Sequence, residues 1–145
     1  LSKLIFLLSD EGLSRLTFSK NQIKRCKNLR FWVHKINKLD DLSEDERFQL
    51  HIDLEEDLPS FILFLKERDS NPWLKRWKDP HDPLFHPSAP FDGHLLQKAF
   101  GIPPGPFLGE LIRYLSKEKA YGRISTNKEA MEVARKWTLE NSPFL

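Results

Sequence analysis

The stretch Ser19 to Leu39, SKNQIKRCKNLRFWVHKINKL, decides the fold class. Its apolar residues Ile23, Cys26, Leu29, Val33 and Ile36 step by three and four, the spacing that gathers side chains on one face of an α-helix. Ser19 stands where an N-cap is needed, its hydroxyl able to accept from an amide that the first turn leaves open. The reading is a helix to about Leu39 with one stripe against a core, on which Cys26 is a core residue. At about 100° per position, Lys20, Lys24, Lys27, Arg30, His34, Lys35 and Lys38 fall on one arc away from that stripe, and Arg25 is the exception. Phe31 falls within the basic arc, where a ring can stack on a base or sugar or make a satellite contact with another helix.

Working outward, the same pattern repeats without any alternating run that would mark a strand. Ser43 with Glu46 three positions on forms a capping box for a helix whose acidic first turns suit the positive end of the helix dipole. Pro59 forces a start or kink before Ser60 to Lys66. Residues 1–8 repeat leucine at helical spacing and read as a helix tail ending near Asp10, Glu11 and Gly12, the glycine supplying the stop. Five prolines (Pro72, Pro80, Pro83, Pro87 and Pro90) fall between residues 70 and 92, so Asp79 to Asp92 reads as an irregular linker. Beyond it come a short helix to Phe100, a turn through Gly101 and Gly105, a helix from Pro106 to about Tyr121, and a last helix from Thr126, boxed with Glu129. The fold class is all-α: a helical body segment over residues 1–78, a Pro-rich linker over 79–91 and a helical tail over 92–145.

The chain has 145 residues, of which 39% are hydrophobic and 30% charged, with four Trp and eleven Phe. That composition belongs to a folded protein, and the length leaves no room for a separate catalytic domain. The start at Leu1, inside a helical pattern and with no initiator Met, reads as a fragment of a longer polypeptide. A single cysteine excludes a disulfide framework and fits a reducing, cytoplasmic compartment. The longest apolar run, Leu4 to Leu8, is far short of the roughly 20 residues that span a bilayer, so no membrane partner is expected.

Net charge is +2, but its distribution is uneven. From Gly12 to Leu39 there are eight bases and no acid; from Asp40 to Asp57 there are nine acids against Arg47 alone. The two blocks can pair with each other as solvated helices, or the basic one can face an anionic partner.

The turn from Gly101 to Gly105 is the second candidate site. A glycine turn leading into a helix that opens with Pro106 presents backbone N–H groups where the dipole favours a phosphate, as in helix-hairpin-helix modules. Lys117, Lys119, Arg123 and Lys128, around the next turn, would extend a positive surface. Gly109 lies inside that helix, where glycine costs roughly 1 kcal/mol relative to alanine, so a close approach of nucleic acid or of another helix is expected there. His81 and Asp82 resemble a metal-dependent phosphohydrolase dyad, but flanking Pro80 and Pro83 favour surface or linker-packing roles. No metal site and no catalytic residue is assigned.

Two stretches, Gly101 to Ile112 (GIPPGPFLGELI) and Ala120 to Ala130 (AYGRISTNKEA), resemble the C-terminal tail of the bacterial-type tRNA nucleotidyltransferase and poly(A) polymerase family, over about residues 92–137. Residues 43–91, with Asp53 to Pro59 (DLEEDLP) and Asp82 to Pro87 (DPLFHP), are similar to the body region of cyanobacterial members. The resemblance implies a helical body and tail that hold tRNA or other RNA 3′ ends for an N-terminal catalytic head of the same polypeptide. That head would use Mg and CTP or ATP, and this chain itself would need no cofactor. The chain has no glycine-rich strand-turn with an Asp-x-Asp pair and no Glu-Asp-x-x-Arg motif, so the family's activity does not carry over to it. The alternative is a purely structural helical interaction or dimerisation domain.

Overall fold

The structure, a computed structural model, describes residues 8–141. Among them are eight α-helices and no strand, so the fold is all-α: α1 (Asp10–Arg15), α2 (Lys20–His34), α3 (Glu44–Leu54), α4 (Leu58–Ile62), α5 (Glu67–Lys78), α6 (Gly93–Phe100), α7 (Pro106–Ala120) and α8 (Asn127–Asn141). Two 3₁₀ segments, Ile36–Asp41 and Glu55–Asp57, follow α2 and α3. The leucine repeat of residues 1–7 lies outside the described residues. No helix among them is long and apolar enough to cross a membrane.

The chain divides into two compact units between His81 and Asp82, within the segment read as a linker. In the first, α2 packs on α1, α3 and α4, and α5 packs on α4. Trp32, Phe48, Leu50, Leu54, Leu58 and Phe61 are fully buried there. Asp53 joins α2 to α3: its carboxylate accepts from the Trp32 indole Nε1 at 3.0 Å and from Gln49 at 2.8 Å, and its carbonyl accepts from Asn28 at 3.2 Å. In the second, α7 packs on α6 and α8 around Leu96, Ile102, Leu108, Leu111, Leu115 and Ile124. The apolar face read on α8 is there: Ala130 and Ala134 are fully buried, and Val133 and Trp137 pack beside them. Residues 79–92 form no helix but a series of turns, one closed by Asp82, whose carboxylate accepts from the amides of Leu84 and Phe85.

Local chemistry sets the helix starts. Ser19 and Gln22, Ser43 and Glu46, and Thr126 and Glu129 each exchange side-chain and backbone bonds as capping boxes. Glu46 is held below the ordinary carboxylate range by the Ser43 amide, then the Ser43 hydroxyl and Lys35; Glu129 is held below it by the Ser125 and Thr126 amides. A carboxylate whose folded pKa is depressed adds stability above its unfolded value of about 4.3, and loses it as pH falls through the folded value. Glutamine keeps the box without titrating. The double variant Glu46→Gln/Glu129→Gln is therefore expected to show a shallower fall of Tm below about pH 4.3; curves parallel to the parent's would refute this.

Two readings need correction. Asp10, Glu11 and Gly12 begin a helix and do not end one, because the Ser9 hydroxyl accepts from the Gly12 amide at 3.1 Å and both acids sit at the favourable end of the dipole. The helix from Ser19 stops at His34 and does not reach Leu39, giving way to 3₁₀ geometry with Lys38 at φ −116°, ψ 17°. Pro72 lies inside α5, within the segment read as helical body. A proline there costs about 3 kcal/mol, and the half-buried face of Trp73, Leu74 and Trp77, with Trp73 stacked on the buried His51 at 5.5 Å, outweighs it.

Glu55 closes α3 at φ 35°, ψ −104°, the one non-glycine residue with positive φ among those described. Such a backbone costs roughly 1–3 kcal/mol for a side-chain-bearing residue, more than glycine's extra entropy. Glu55→Gly is expected to raise Tm by a few degrees in a melt followed by circular dichroism; a lower Tm would show that the Glu55 side chain matters more than its backbone.

Candidate nucleic-acid interface

On α2 the residues Lys20, Lys24, Lys27, Phe31 and His34 step by four, three, four and three, and all are exposed. They form one line along a helix about 21 Å long. Lys20 and Lys24 enter no ion pair with any described residue. Lys27 stands 3.6 Å from Asp10, and Arg30 donates to the same carboxylate at 2.6 Å, so one acid serves two bases. Lys35 is drawn aside to Glu46 at 3.4 Å and over the rings of Phe31 and Trp32 at 4.9 and 5.4 Å. Phe31 is 51% exposed, its ring set edge-on against Trp32 at 5.0 Å.

Arg25, which the angular reading set apart, also meets the acidic block, as Lys35 does at Glu46. Its guanidinium donates through Nε and NH2 to Asp57 at 2.7 and 2.8 Å, with Glu56 at 3.6 Å, and the Asp57 bonds raise its pKa further. Lys38 is exposed, but the 3₁₀ turn displaces it from the register of the stripe. Cys26 is buried in the apolar stripe, and burial pushes its thiol pKa up, which suits a core residue.

The glycine turn has the geometry its residues require. Gly101 ends α6 in the left-handed region at φ 65°, ψ 22°, donating to the Gln97 carbonyl at 2.8 Å. Gly105 stands at φ 159°, ψ −172°, a region essentially restricted to glycine, and no side chain caps the start of α7. Lys117, Lys119 and Arg123 stand around the next turn, where their place in the chain puts them. They lie at the far end of α7, about 17 Å along the axis from Pro106. Lys119 donates to Ser88 at 3.0 Å, Arg123 forks onto Glu118 at 2.8 and 2.9 Å, and Lys117 sits 5.9 Å from the Tyr114 ring. Lys128 is exposed in the first turn of α8, where a positive charge opposes the dipole. The glycine turn and these bases thus stand at opposite ends of α7.

Gly109 is exposed, and a Cβ there would meet nothing within 4 Å. No helix crossing explains it. Gly109→Ala is expected to stabilise the second unit by about 0.5–1 kcal/mol and, if RNA backbone approaches there, to weaken RNA binding; denaturant titration and an RNA titration read the two effects separately. Around His81 and Asp82, no group of three or more His, Cys, Asp or Glu stands together to hold a metal among the described residues.

A second basic line was missed in the sequence. Arg68, Asn71, Lys75 and Lys78 step by three, four and three along α5, and all are exposed. The spacing is legible in the letters, but Pro72 argues against the helix that gives it meaning.

Comparison with protein-family models, with curated proteins and with solved structures finds no match to this chain.

Proposed function

We propose that this chain holds RNA, tRNA foremost, by its phosphate backbone so that a nucleotidyltransferase head elsewhere in the same cytoplasmic polypeptide can add nucleotides to the 3′ end. The observation that carries the reading is the exposed line on α2, in which Lys20 and Lys24 have no ion-pair partner among the described residues. Lysines held along a rigid helix, with Phe31 between them and His34, suit contact with phosphates and with a stacked base or sugar, without base readout. The tail resemblance over residues 92–137 and the uncapped start of α7 support the same reading. Gly101 and Gly105, with Lys117, Lys119, Arg123 and Lys128, are secondary contacts.

The structural alternative draws on Arg25 with Asp57 and on Lys35 with Glu46, where the basic and acidic blocks do pair. Competition separates the two. A labelled tRNA transcript should be displaced from the chain by unlabelled tRNA at lower concentration than by an unrelated hairpin or duplex DNA. Absence of a tRNA complex, together with a dimer in analytical ultracentrifugation, would favour the structural reading.

A further inference from the structure

We infer that the cleft between the 3₁₀ segment Ile36–Asp41 and the first half of α5 receives one unpaired nucleotide of the bound RNA. The inference rests on the RNA-holding reading. The cleft encloses about 340 Å³, at the lower end of the range for small-molecule sites. Two features of its lining point to a nucleotide. Phe64, 41% exposed, and Trp73 supply aromatic surface. Arg47, Lys66 and Arg68 supply three positive charges against Asp40 and Asp69, a net excess for an anion.

Each charge has a part consistent with that ligand. Arg47 is fixed by donating one NH2 bond to the Leu39 carbonyl at 3.0 Å, which leaves its other donors for a phosphate. Arg68 touches Asp69 at 3.3 Å, but its side chain is 72% exposed, so the pair is weakly held and can exchange for a phosphate oxygen. The two carboxylates are acceptors of the kind that exocyclic amino groups of adenine and cytosine seek. Single-stranded RNA is commonly read by such a combination, a splayed base against an aromatic ring with polar groups at its edge.

Position supports the same conclusion. Exposed Lys38, just beyond the C-terminal end of α2, is flanked by the lining residues Asn37 and Leu39, and Arg68 in the opposite wall opens the second basic line. A strand whose phosphates follow Lys20, Lys24 and Lys27 toward the C-terminal end of α2 runs toward the cleft, whose lining begins at Ile36.

The test titrates the 15N-labelled full chain with AMP and CMP, and with adenosine and inorganic phosphate as partial ligands. The nucleotides are expected to shift the amides of Asn37, Leu65 and Arg68, and each partial ligand is expected to do so at least about tenfold more weakly, since the base stack and the phosphate contacts act together. Asn37→Trp, at an exposed position, fills the cleft. It should abolish the shifts, lower affinity for tRNA about tenfold, the order of one base stack, and reduce the salt slope by roughly 0.7, the share of one phosphate contact. Phe64→Ala, also exposed, should act in the same direction and serves if Asn37→Trp does not fold. If tRNA binds with steep salt dependence but the nucleotides leave these amides unmoved, or both variants bind tRNA normally, the inference is overturned and the RNA-holding reading stands. If nucleotides bind and tRNA does not, the cleft takes free nucleotides, and the inference falls together with the RNA-holding reading.

Discussion

Changing Lys20 and Lys24 together to glutamate is expected to lower tRNA affinity by at least about tenfold and to reduce the salt slope of binding by roughly 1.5, close to 0.7–0.9 for each phosphate no longer neutralised. Stability should scarcely move, because neither lysine pairs with a described residue and exposed charge changes usually fall within about 0.5 kcal/mol. The contrast with Arg25 makes the result diagnostic. Arg25→Gln removes the fork onto Asp57, a half-exposed pair whose loss should cost no more than about 1 kcal/mol and leave RNA affinity unchanged. Loss of binding in the lysine variant at unchanged Tm, beside normal binding in the arginine variant, places the RNA on the outer line of α2. The reverse pattern assigns the basic block to internal pairing.

Trp32→Ala is expected to be the most damaging single change in the first unit. The ring is 2% exposed among α2, α3 and their neighbours, and truncating such a residue costs about 3–5 kcal/mol. The change also removes the indole that donates to Asp53 at 3.0 Å, leaving a part-buried carboxylate with only Gln49 and solvent. The first unit should therefore lose its tertiary NMR signals at urea concentrations where the amides around Leu96, Leu111 and Leu115 still report a folded core. A single transition shared by all amides would show that the two units unfold together. Trp32→Phe keeps a smaller aromatic ring in place and loses the bond, so a lesser cost of about 1–3 kcal/mol is expected for it.

What was legible in the sequence was local. The boxes at Ser43 and Thr126 need only residues three apart, and the apolar faces of α2 and α8 need only the helical period. The misreadings came where two local signals competed. Gly12 argued for a stop while Ser9 and two acids argued for a start, and the cap prevailed because it satisfies an amide that the first turn otherwise leaves open. Pro72 is tolerated inside α5 because two half-buried tryptophans outweigh it. Individual long-range partners could not be named from the letters: Asp53 meets Trp32 across 21 residues, and Arg25 meets Asp57 across 32, the latter a pairing of the two charge blocks that only their opposite sign announced. The same holds for the site. The stripe of α2 could be drawn on a helical wheel, but which of its lysines lack an internal partner could not.

The most direct test of the central claim is the affinity of the intact chain for a tRNA transcript across a salt series from 50 to 300 mM, roughly the range over which counterion release is steep. If the chain grips RNA by its backbone, log affinity should fall linearly with log salt at a slope of about −2 or steeper, as expected for three or more phosphate contacts. A slope near zero, or no complex at the lowest salt, would contradict the account and leave the charges of α2 to structural pairing.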